Sequence, residues 1–262
     1  MNMTILDKLA EHARERCEAY RRVLPDNELK RLVSQLPKSG FRFEAALKKP
    51  GLSFICECKK ASPSKGLIAE DFPYLSIARE YEQAGADCIS VLTEPKWFLG
   101  SDGYLKEIAG AVSIPCLRKD FTVDEYMIYQ ARLLGASAVL LICAILDSER
   151  LKEYLCLCDE LGLSALVETH DETEVKTALD CGARIIGVNN RDLRNFSVDT
   201  GNSRRLREMI PKDTAFVSES GISTAQDVEL LRSAGADAVL VGEALMKAPD
   251  KKRKLSELRG EL

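Results

Sequence analysis

A Gly-Ala dipeptide recurs along the chain at nearly even intervals, and this repeat constrains the fold more than any other feature. Each copy follows a stretch with helical spacing of apolar residues and precedes an apolar run. The copies fall 50, 47 and 53 residues apart, at Gly85-Ala86, Gly135-Ala136, Gly182-Ala183 and Gly235-Ala236. A period near fifty is what pairs of strand-helix units of about 25 residues each produce. The repeat therefore predicts alternating strands and helices.

Further apolar runs bring the number of predicted strands to eight. They are Phe54 to Lys59, Pro115 to Phe121, Leu163 to His170 and Thr214 to Ser220. The runs are nearly continuous rather than alternating, which is typical of parallel strands covered on both faces. Eight units in 262 residues favour a closed (β/α)8 TIM barrel, an α/β fold of about 250 residues. The alternative, a doubly wound sheet, would predict a GxGxxG motif after the first strand, and the sequence has none there.

The residues before the first predicted strand indicate an additional N-terminal helical segment. Apolar residues from Ile5 to Arg22 lie near helical spacing, and a second helical pattern runs from Glu28 to Leu36. The apolar piece Phe41 to Leu47 then ends at a Lys-Lys-Pro-Gly turn signal. We predict a single domain over residues 1–262, with a helical extension over 1–51 and the barrel over 52–262.

Composition and charge exclude several classes of function. The net charge is −4 and the charges are interspersed, which argues against nucleic-acid binding. No apolar run reaches the ~18 residues of a membrane span, and the N-terminus lacks the apolar region of a signal peptide. The nine cysteines form no CxxC pair and the two histidines are far apart in sequence, so we expect reduced thiols in a cytoplasm and no metal site.

Ionisable and amide side chains gather at the predicted carboxyl ends of the strands, where TIM barrels carry their catalytic groups. Glu57 and Lys59 are two residues apart, so in a strand they point the same way. The other strand ends carry Lys119, Asp120, Glu168, Asn189, Arg191, Glu219 and Ser220. Each alone has a structural alternative: Asp120 as a helix cap, Arg191 paired with Asp192, and the glutamates as solvated rim charges. Because five strands present such groups at the same end, we favour a catalytic site.

Two glycine-containing loops predict a phosphate site. Glu219 to Ile222 follows the seventh predicted strand, and Gly242 to Met246 follows the eighth. Glycine lets a backbone approach a ligand closely, and amide hydrogens near a helix start attract anions. Phosphate sites of TIM barrels lie after these two strands. Tight turns alone would also explain single glycines.

Seven ordered segments resemble the indole-3-glycerol phosphate synthase family: ECKKASPSKG, LTEPKWFLGS, LRKDF, ALVETH, GVNNRDL, SESGI and VGEALM. The resemblance implies a (β/α)8 barrel that converts 1-(2-carboxyphenylamino)-1-deoxyribulose 5-phosphate to indole-3-glycerol phosphate, with loss of carbon dioxide and water. It also implies that Lys119 is the general acid and Glu168 a second proton-transfer group. The departures from the family pattern, Cys58, Thr169 and Glu243, fall outside the catalytic roles.

The resemblance implies roles for the remaining site residues as well. Glu57, Lys59, Asn189 and Glu219 would line the reacting part of the substrate. The phosphate would lie on Ser220, Gly221, Gly242 and Glu243. The pocket wall would be completed by Ser62, Phe98, Phe121, Arg191 and Leu193.

Ring closure onto a carbonyl needs an acid, and a lysine serves if its site moves its pKa from about 10.4 toward 7–8. We expect Lys119 to be that group, with no cofactor, no nucleic-acid or membrane partner, and a monomer or weak homo-oligomer. One alternative is phosphoribosylanthranilate isomerase, another barrel enzyme with a similar phosphate site. A second is an inactive barrel that senses phosphorylated metabolites. The presence of both Lys119 and Glu168 favours the synthase over these two.

Overall fold

Eight parallel strands close into a barrel in the computed structural model of the protein, which describes residues 3–192 and 196–262. The first barrel strand pairs with both the second and the last, which completes the closure. The strands are β1 Ser53–Cys58, β4 Cys88–Leu92, β5 Cys116–Lys119, β6 Ala138–Ile142, β7 Ser164–Thr169, β8 Ile185–Asn189, β9 Ala215–Glu219 and β10 Ala238–Val241. The predicted barrel is therefore confirmed.

Helices alternate with these strands, and three helices precede them. The three are α1 Ile5–Val23, α2 Asp26–Ser34 and α3 Arg42–Leu47. Those that follow are α4 Tyr74–Gln83, α5 Asp102–Ala111, α6 Glu125–Leu133, α7 Ser148–Leu161, α8 Glu172–Asp180, α9 Gly201–Arg207, α10 Ala225–Ser233, α11 Glu243–Met246 and α12 Lys251–Arg259. The predicted N-terminal helical segment is confirmed.

The Gly-Ala repeat marks the ends of helices. Each glycine has a positive φ, between 83° and 89°, which a residue without a Cβ adopts at low cost. The following alanine donates its amide hydrogen back to the last turn of the preceding helix, as from Ala86 to the Tyr81 carbonyl oxygen at 2.9 Å. This arrangement is the Schellman motif. The repeat thus turns the chain from each helix into the next strand.

Some elements differ in detail from the sequence prediction. The apolar run after Gly135-Ala136 leaves the sheet at Ile142, and Cys143–Ile145 forms a short 3₁₀ helix. Two short strands, β2 Ala61–Ser62 and β3 Gly66–Leu67, form an antiparallel ribbon in the loop after β1 that the sequence did not predict.

The N-terminal helices cover both ends of the barrel. Helix α1 lies against the carboxyl ends of β4 and β5, where His12 and Arg16 make ion pairs. Helix α3 lies at the opposite end, where the Ser164 hydroxyl accepts the Glu44 amide hydrogen at 3.1 Å. Buried residues of both helices belong to the same apolar cluster as the inward-facing strand residues. The extension therefore completes the barrel core.

Two expectations from composition concerned the cysteines and the length of apolar segments. All nine cysteines are free thiols, and most are buried. Within residues 3–192 and 196–262, every helix is too short or too polar to cross a membrane.

Candidate active site

A cavity of about 640 Å³ opens at the carboxyl ends of the barrel strands. Every predicted site residue in the described ranges lines it: Glu57, Lys59, Ser62, Phe98, Lys119, Phe121, Glu168, Asn189, Arg191, Glu219, Ser220, Gly221, Gly242 and Glu243. Leu193, predicted as part of the wall, lies outside the described residues. Residues from seven barrel strands or their following loops thus meet in one cavity.

Lys119 lies between two buried carboxylates inside the cavity. Its Nζ is 3.1 Å from Oε2 of Glu168 and 3.4 Å from Oε2 of Glu219. Burial favours the neutral amine, but the charges of Glu168, Glu219 and Glu57 outweigh it and raise the pKa of Lys119. The expectation that the site lowers this pKa toward 7–8 is therefore wrong. The sequence did not predict the raised pKa because the three carboxylates come from three other strands.

Glu219 differs from the carboxylates around it. Burial raises its pKa to about 7, and the charges of Glu168 and Glu57 add to this while Lys119 opposes it. Its Oε1 has no hydrogen-bond partner within the described part of the chain. That oxygen occupies the space beside Gly187, where a Cβ would approach it to 2.2 Å. Glu219 thus holds a proton more readily than an ordinary carboxyl group.

Glu57 and Lys59 form a close ion pair at the end of β1, with 2.6 Å between Oε1 and Nζ. The Ser90 hydroxyl donates to the other Glu57 oxygen at 3.3 Å. Burial favours the neutral acid, but Lys59 and Lys119 outweigh it and lower the pKa of Glu57. The prediction that these two side chains point the same way is confirmed.

Asn189 orients Glu168 from the neighbouring strand. Its Nδ2 donates to Oε1 of Glu168 at 3.2 Å, and its Oδ1 accepts the Arg191 amide hydrogen at 3.0 Å. The Arg191 guanidinium donates to the Phe196 carbonyl oxygen at 3.1 Å. Burial opposes ionisation of Glu168, but Lys119 and other partners lower its pKa. Glu168 is therefore a carboxylate fixed from two sides.

One wall of the cavity is apolar. The rings of Phe98 and Phe121 lie 6.0 Å apart, centroid to centroid. Ile5 and Leu9 of α1 also line the cavity, and sequence reasoning did not include them. Only their helical spacing was readable from the sequence, and that spacing does not identify the surface they pack against.

The two glycine loops, which follow β9 and β10, line another part of the cavity. Ser220 and Gly221 both have positive φ, 69° and 80°. Gly242 precedes the four-residue helix α11, which lies before the last helix and is separate from it. Glu243 Oε1 lies 2.7 Å from Nζ of Lys247 and 3.8 Å from Nζ of Lys65. Two ammonium groups therefore compensate the carboxylate at this loop.

Asp120 has a structural role, but not as a helix cap. Its carboxylate binds both Nη atoms of Arg16, at 2.6 and 3.1 Å, and accepts the Thr93 hydroxyl hydrogen at 2.5 Å. The cap of α6 is Asp124, which accepts the Tyr126 amide hydrogen. The interpretation of Asp120 as a cap is therefore wrong. Its pairing with Arg16 could not be read from sequence because the two residues are 104 positions apart.

Together, the barrel and the buried ionisable groups at its carboxyl end define a TIM-barrel enzyme. Three comparisons with known proteins identify which one. The family model of indole-3-glycerol phosphate synthase matches residues 6–258. Indole-3-glycerol phosphate synthase of Ruminiclostridium cellulolyticum is 58% identical over 257 residues, covering 98% of this chain and 99% of that protein. The protein of that name from Lachnoclostridium phytofermentans is 51% identical and covers 97% of this chain and 98% of its own length.

The chain belongs to the indole-3-glycerol phosphate synthase family. It is an enzyme of tryptophan biosynthesis, a carboxy-lyase that acts on a phosphorylated small molecule. The resemblance found in the seven sequence segments is thereby confirmed over nearly the whole chain.

Solved structures with low sequence identity show the same fold. Thiamine phosphate pyrophosphorylase from Pyrococcus furiosus matches with a TM-score of 0.62 at 16% identity, covering 83% of this chain and 96% of that chain. The 3-hexulose-6-phosphate synthase from Salmonella typhimurium matches with a TM-score of 0.66 at 15% identity, covering 80% and 97%. At these identities the likeness concerns the barrel alone.

Proposed function

We propose that the cavity holds 1-(2-carboxyphenylamino)-1-deoxyribulose 5-phosphate with its aromatic ring against Phe98 and Phe121. The phosphate then lies on the loops of Ser220-Gly221 and Gly242-Glu243. The apolar wall and the glycine loops line the same cavity and follow different strands, which supports this orientation. Ser62 and Arg191 complete the enclosure.

Lys119 is the general acid of ring closure in this proposal. The aromatic carbon that carries the carboxylate attacks the substrate ketone, and the ketone oxygen takes a proton from Nζ. The observation that carries the proposal is the position of this ammonium group inside the cavity, 3.1 and 3.4 Å from two carboxylates. Its raised pKa means that the proton is present before the reaction, and the developing alkoxide accepts it.

Lys59 holds the substrate carboxylate until carbon dioxide leaves. Its ammonium group is part of the cavity lining and is partnered by Glu57, so it is both charged and fixed in direction. Loss of carbon dioxide returns the bonding electrons to the ring carbon. The hydroxyl group then leaves as water with a proton from an acid, and the methylene carbon beside the ring nitrogen gives a proton to a base, which forms the double bond of the indole.

Glu168 is the second proton-transfer group, and it serves the dehydration step. Its carboxylate receives hydrogen bonds from both Lys119 and Asn189, so its oxygens are held in the cavity. Glu57, whose pKa is lowered, helps to keep the ammonium group of Lys119 charged. No cofactor or metal ion is required for these proton transfers.

We further propose a cytoplasmic enzyme that acts as one domain over 1–262, as a monomer or weak homo-oligomer. The free thiols support a reducing compartment. Sedimentation of the purified protein at micromolar concentration tests the oligomeric state.

Product formation from the carboxyphenylamino substrate tests the proposed reaction. Purified protein should generate indole fluorescence and release one carbon dioxide per indole formed. The rate should be the same with EDTA present, because the steps are proton transfers between side chains. Loss of activity with EDTA that a divalent ion restores would contradict the metal-free mechanism.

A further inference from the structure

His170 is a half-buried titratable group that the reaction as proposed does not use. It follows the last residue of β7 and begins the loop to α8. Its backbone amide and its Nδ1 both contact Oε2 of Glu174, at 2.8 and 3.1 Å. The Asn202 amide group donates to the His170 carbonyl oxygen at 3.0 Å. Backbone and ring are therefore both held in place.

The other ring nitrogen faces the catalytic carboxylate. Nε2 of His170 lies 3.4 Å from Oε1 of Glu168 and has no hydrogen-bond partner in the ranges the structure describes. Because Nδ1 meets the carboxylate of Glu174, it is the nitrogen that carries a proton in the neutral ring. Nε2 would then turn a lone pair toward a carboxylate, which is repulsive. A second proton between Nε2 and Glu168 removes the repulsion.

We propose that His170, oriented by Glu174, is a positioning residue for the reaction, and that it holds a proton against Glu168 so that Glu168 stays a correctly directed carboxylate. This inference rests on the proposed role of Glu168 in proton transfer. The chain runs from the partly exposed Glu174 through His170 to Glu168 and then to Lys119.

The charges around the imidazole favour its protonated form. Glu168 on β7, Glu174 on α8 and Glu219 on β9 all face it, and Lys119 on β5 lies beyond Glu168. Burial opposes the charge, but the hydrogen bond to Glu174 and the nearby carboxylates outweigh it and raise the pKa of His170. The imidazolium in turn helps to lower the pKa of Glu168.

The chain has only two histidines, so a nuclear magnetic resonance titration tests the shared proton directly. The spectrum of His170→Gln assigns the two sets of ring nitrogen signals. We expect His170 to titrate above the ordinary midpoint of about 6.5. In Glu168→Gln, its midpoint should fall by about one pH unit, because an opposite charge at this distance is lost. An unchanged His170 midpoint in Glu168→Gln would overturn the proposal.

The pH dependence of kcat tests the positioning role. In His170→Gln, we expect kcat to fall by about tenfold and its acidic limb to move to higher pH by about one unit. KM should change less than threefold, because His170 is not part of the glycine loops that are proposed to bind the phosphate. Glu174→Gln should move the limb in the same direction by a smaller amount. A His170→Gln profile that superimposes on wild type, or a change in KM alone, would overturn the proposal.

Glu172→Gln is the matched control. Glu172 lies on the same turn of α8 but pairs with Arg205 at the surface, so its removal should leave the profile unchanged. The role of Glu168 and the proton shared with His170 can be refuted separately. Wild-type kcat in Glu168→Gln would overturn the role of Glu168, and with it the kinetic role of His170. Low kcat in that variant with an unmoved His170 midpoint would overturn the shared proton alone.

Discussion

At the scale of single residues, two glycines in the barrel make space for charged groups. A Cβ on Gly187 would lie 2.2 Å from Oε1 of Glu219, and one on Gly242 would lie 2.6 Å from Oε1 of Glu57. The sequence predicted Gly242 as a point of close backbone approach to phosphate. The structure adds that it also leaves room for the Glu57–Lys59 pair. Gly187 was not predicted, because a glycine within a strand indicates only a missing side chain.

Substitutions at Gly242 and Glu243 distinguish a backbone phosphate site from one formed by side chains. Gly242→Val should raise KM more than tenfold and also lower kcat, because the new side chain displaces Glu57 and Lys59. Glu243→Ser should change KM by less than about tenfold, which corresponds to a change in binding free energy below about 1.4 kcal/mol. The effect is small because the substitution frees Lys65 and Lys247 from a carboxylate. Steady-state kinetics at low salt gives both values. A large loss in the Ser variant with a tolerant Val variant would refute the backbone site.

The buried proton on Glu219 predicts a pH-dependent stability. Since its pKa is raised from 4.5 to about 7, the folded protein binds this proton more tightly than the unfolded chain. The free energy of unfolding therefore loses a contribution as pH rises through this window. Glu219→Gln removes the titration, so its stability relative to wild type should be greater at pH 8 than at pH 5, by about 1–3 kcal/mol.

Urea unfolding at the two pH values measures this difference. Comparing variant and wild type at each pH cancels the carboxylates that both proteins share. An equal difference at pH 5 and pH 8, or a larger one at pH 5, would show that Glu219 titrates as an ordinary carboxyl group.

At the scale of elements, the N-terminal helix α1 is joined to the active-site end of the barrel by buried charge. Arg16 binds Asp120, the residue after Lys119, and His12 lies 3.0 Å from the buried Glu94. Glu94 also accepts the amide hydrogens of Trp97 and Phe98. The extension thus contacts segments that carry both Lys119 and the apolar wall.

Arg16→Met should lower the free energy of unfolding by about 3 kcal/mol, because it leaves the buried carboxylate of Asp120 without its bidentate partner. Arg14→Met is the matched control on the same helix. Arg14 pairs with Glu11 on the surface, so that change should cost less than about 1 kcal/mol. Denaturant unfolding gives both values. Equal losses in the two variants would contradict an anchoring role for Arg16.

The ends of helices could be predicted because they depend on the local sequence. The Gly-Ala repeat predicted where helices end because glycine at a positive φ is a local requirement. Helix starts also depend on local chemistry, since the side chains of Asp147, Asp171 and Thr224 cap α7, α8 and α10. The pairing of Arg16 with Asp120 and the contact of His170 with Glu168 depend on how distant or looped segments pack, so the sequence did not predict them.

At the scale of the whole molecule, the barrel determines how the site's charges act on one another. It brings Glu57, Glu168 and Glu219 from three strands to Lys119. Together their negative charges raise the pKa of this lysine, whereas the sequence argument required the site to lower it. The described residues that were predicted for the site and that line the cavity could be identified from the sequence. Their electrostatic balance could not, because it depends on distances between strands.

The kinetics of Lys119→Met test the central claim most directly. We expect the variant to bind substrate with an affinity within about threefold of wild type, because the proposed phosphate and ring contacts lie on other residues. Its kcat for indole formation should fall by about 10²–10⁴, the contribution of a positioned acid. Binding is measured by fluorescence titration and turnover by indole fluorescence on the same preparation. A variant that keeps more than a tenth of wild-type kcat would contradict the assignment and transfer the acid role to Lys59.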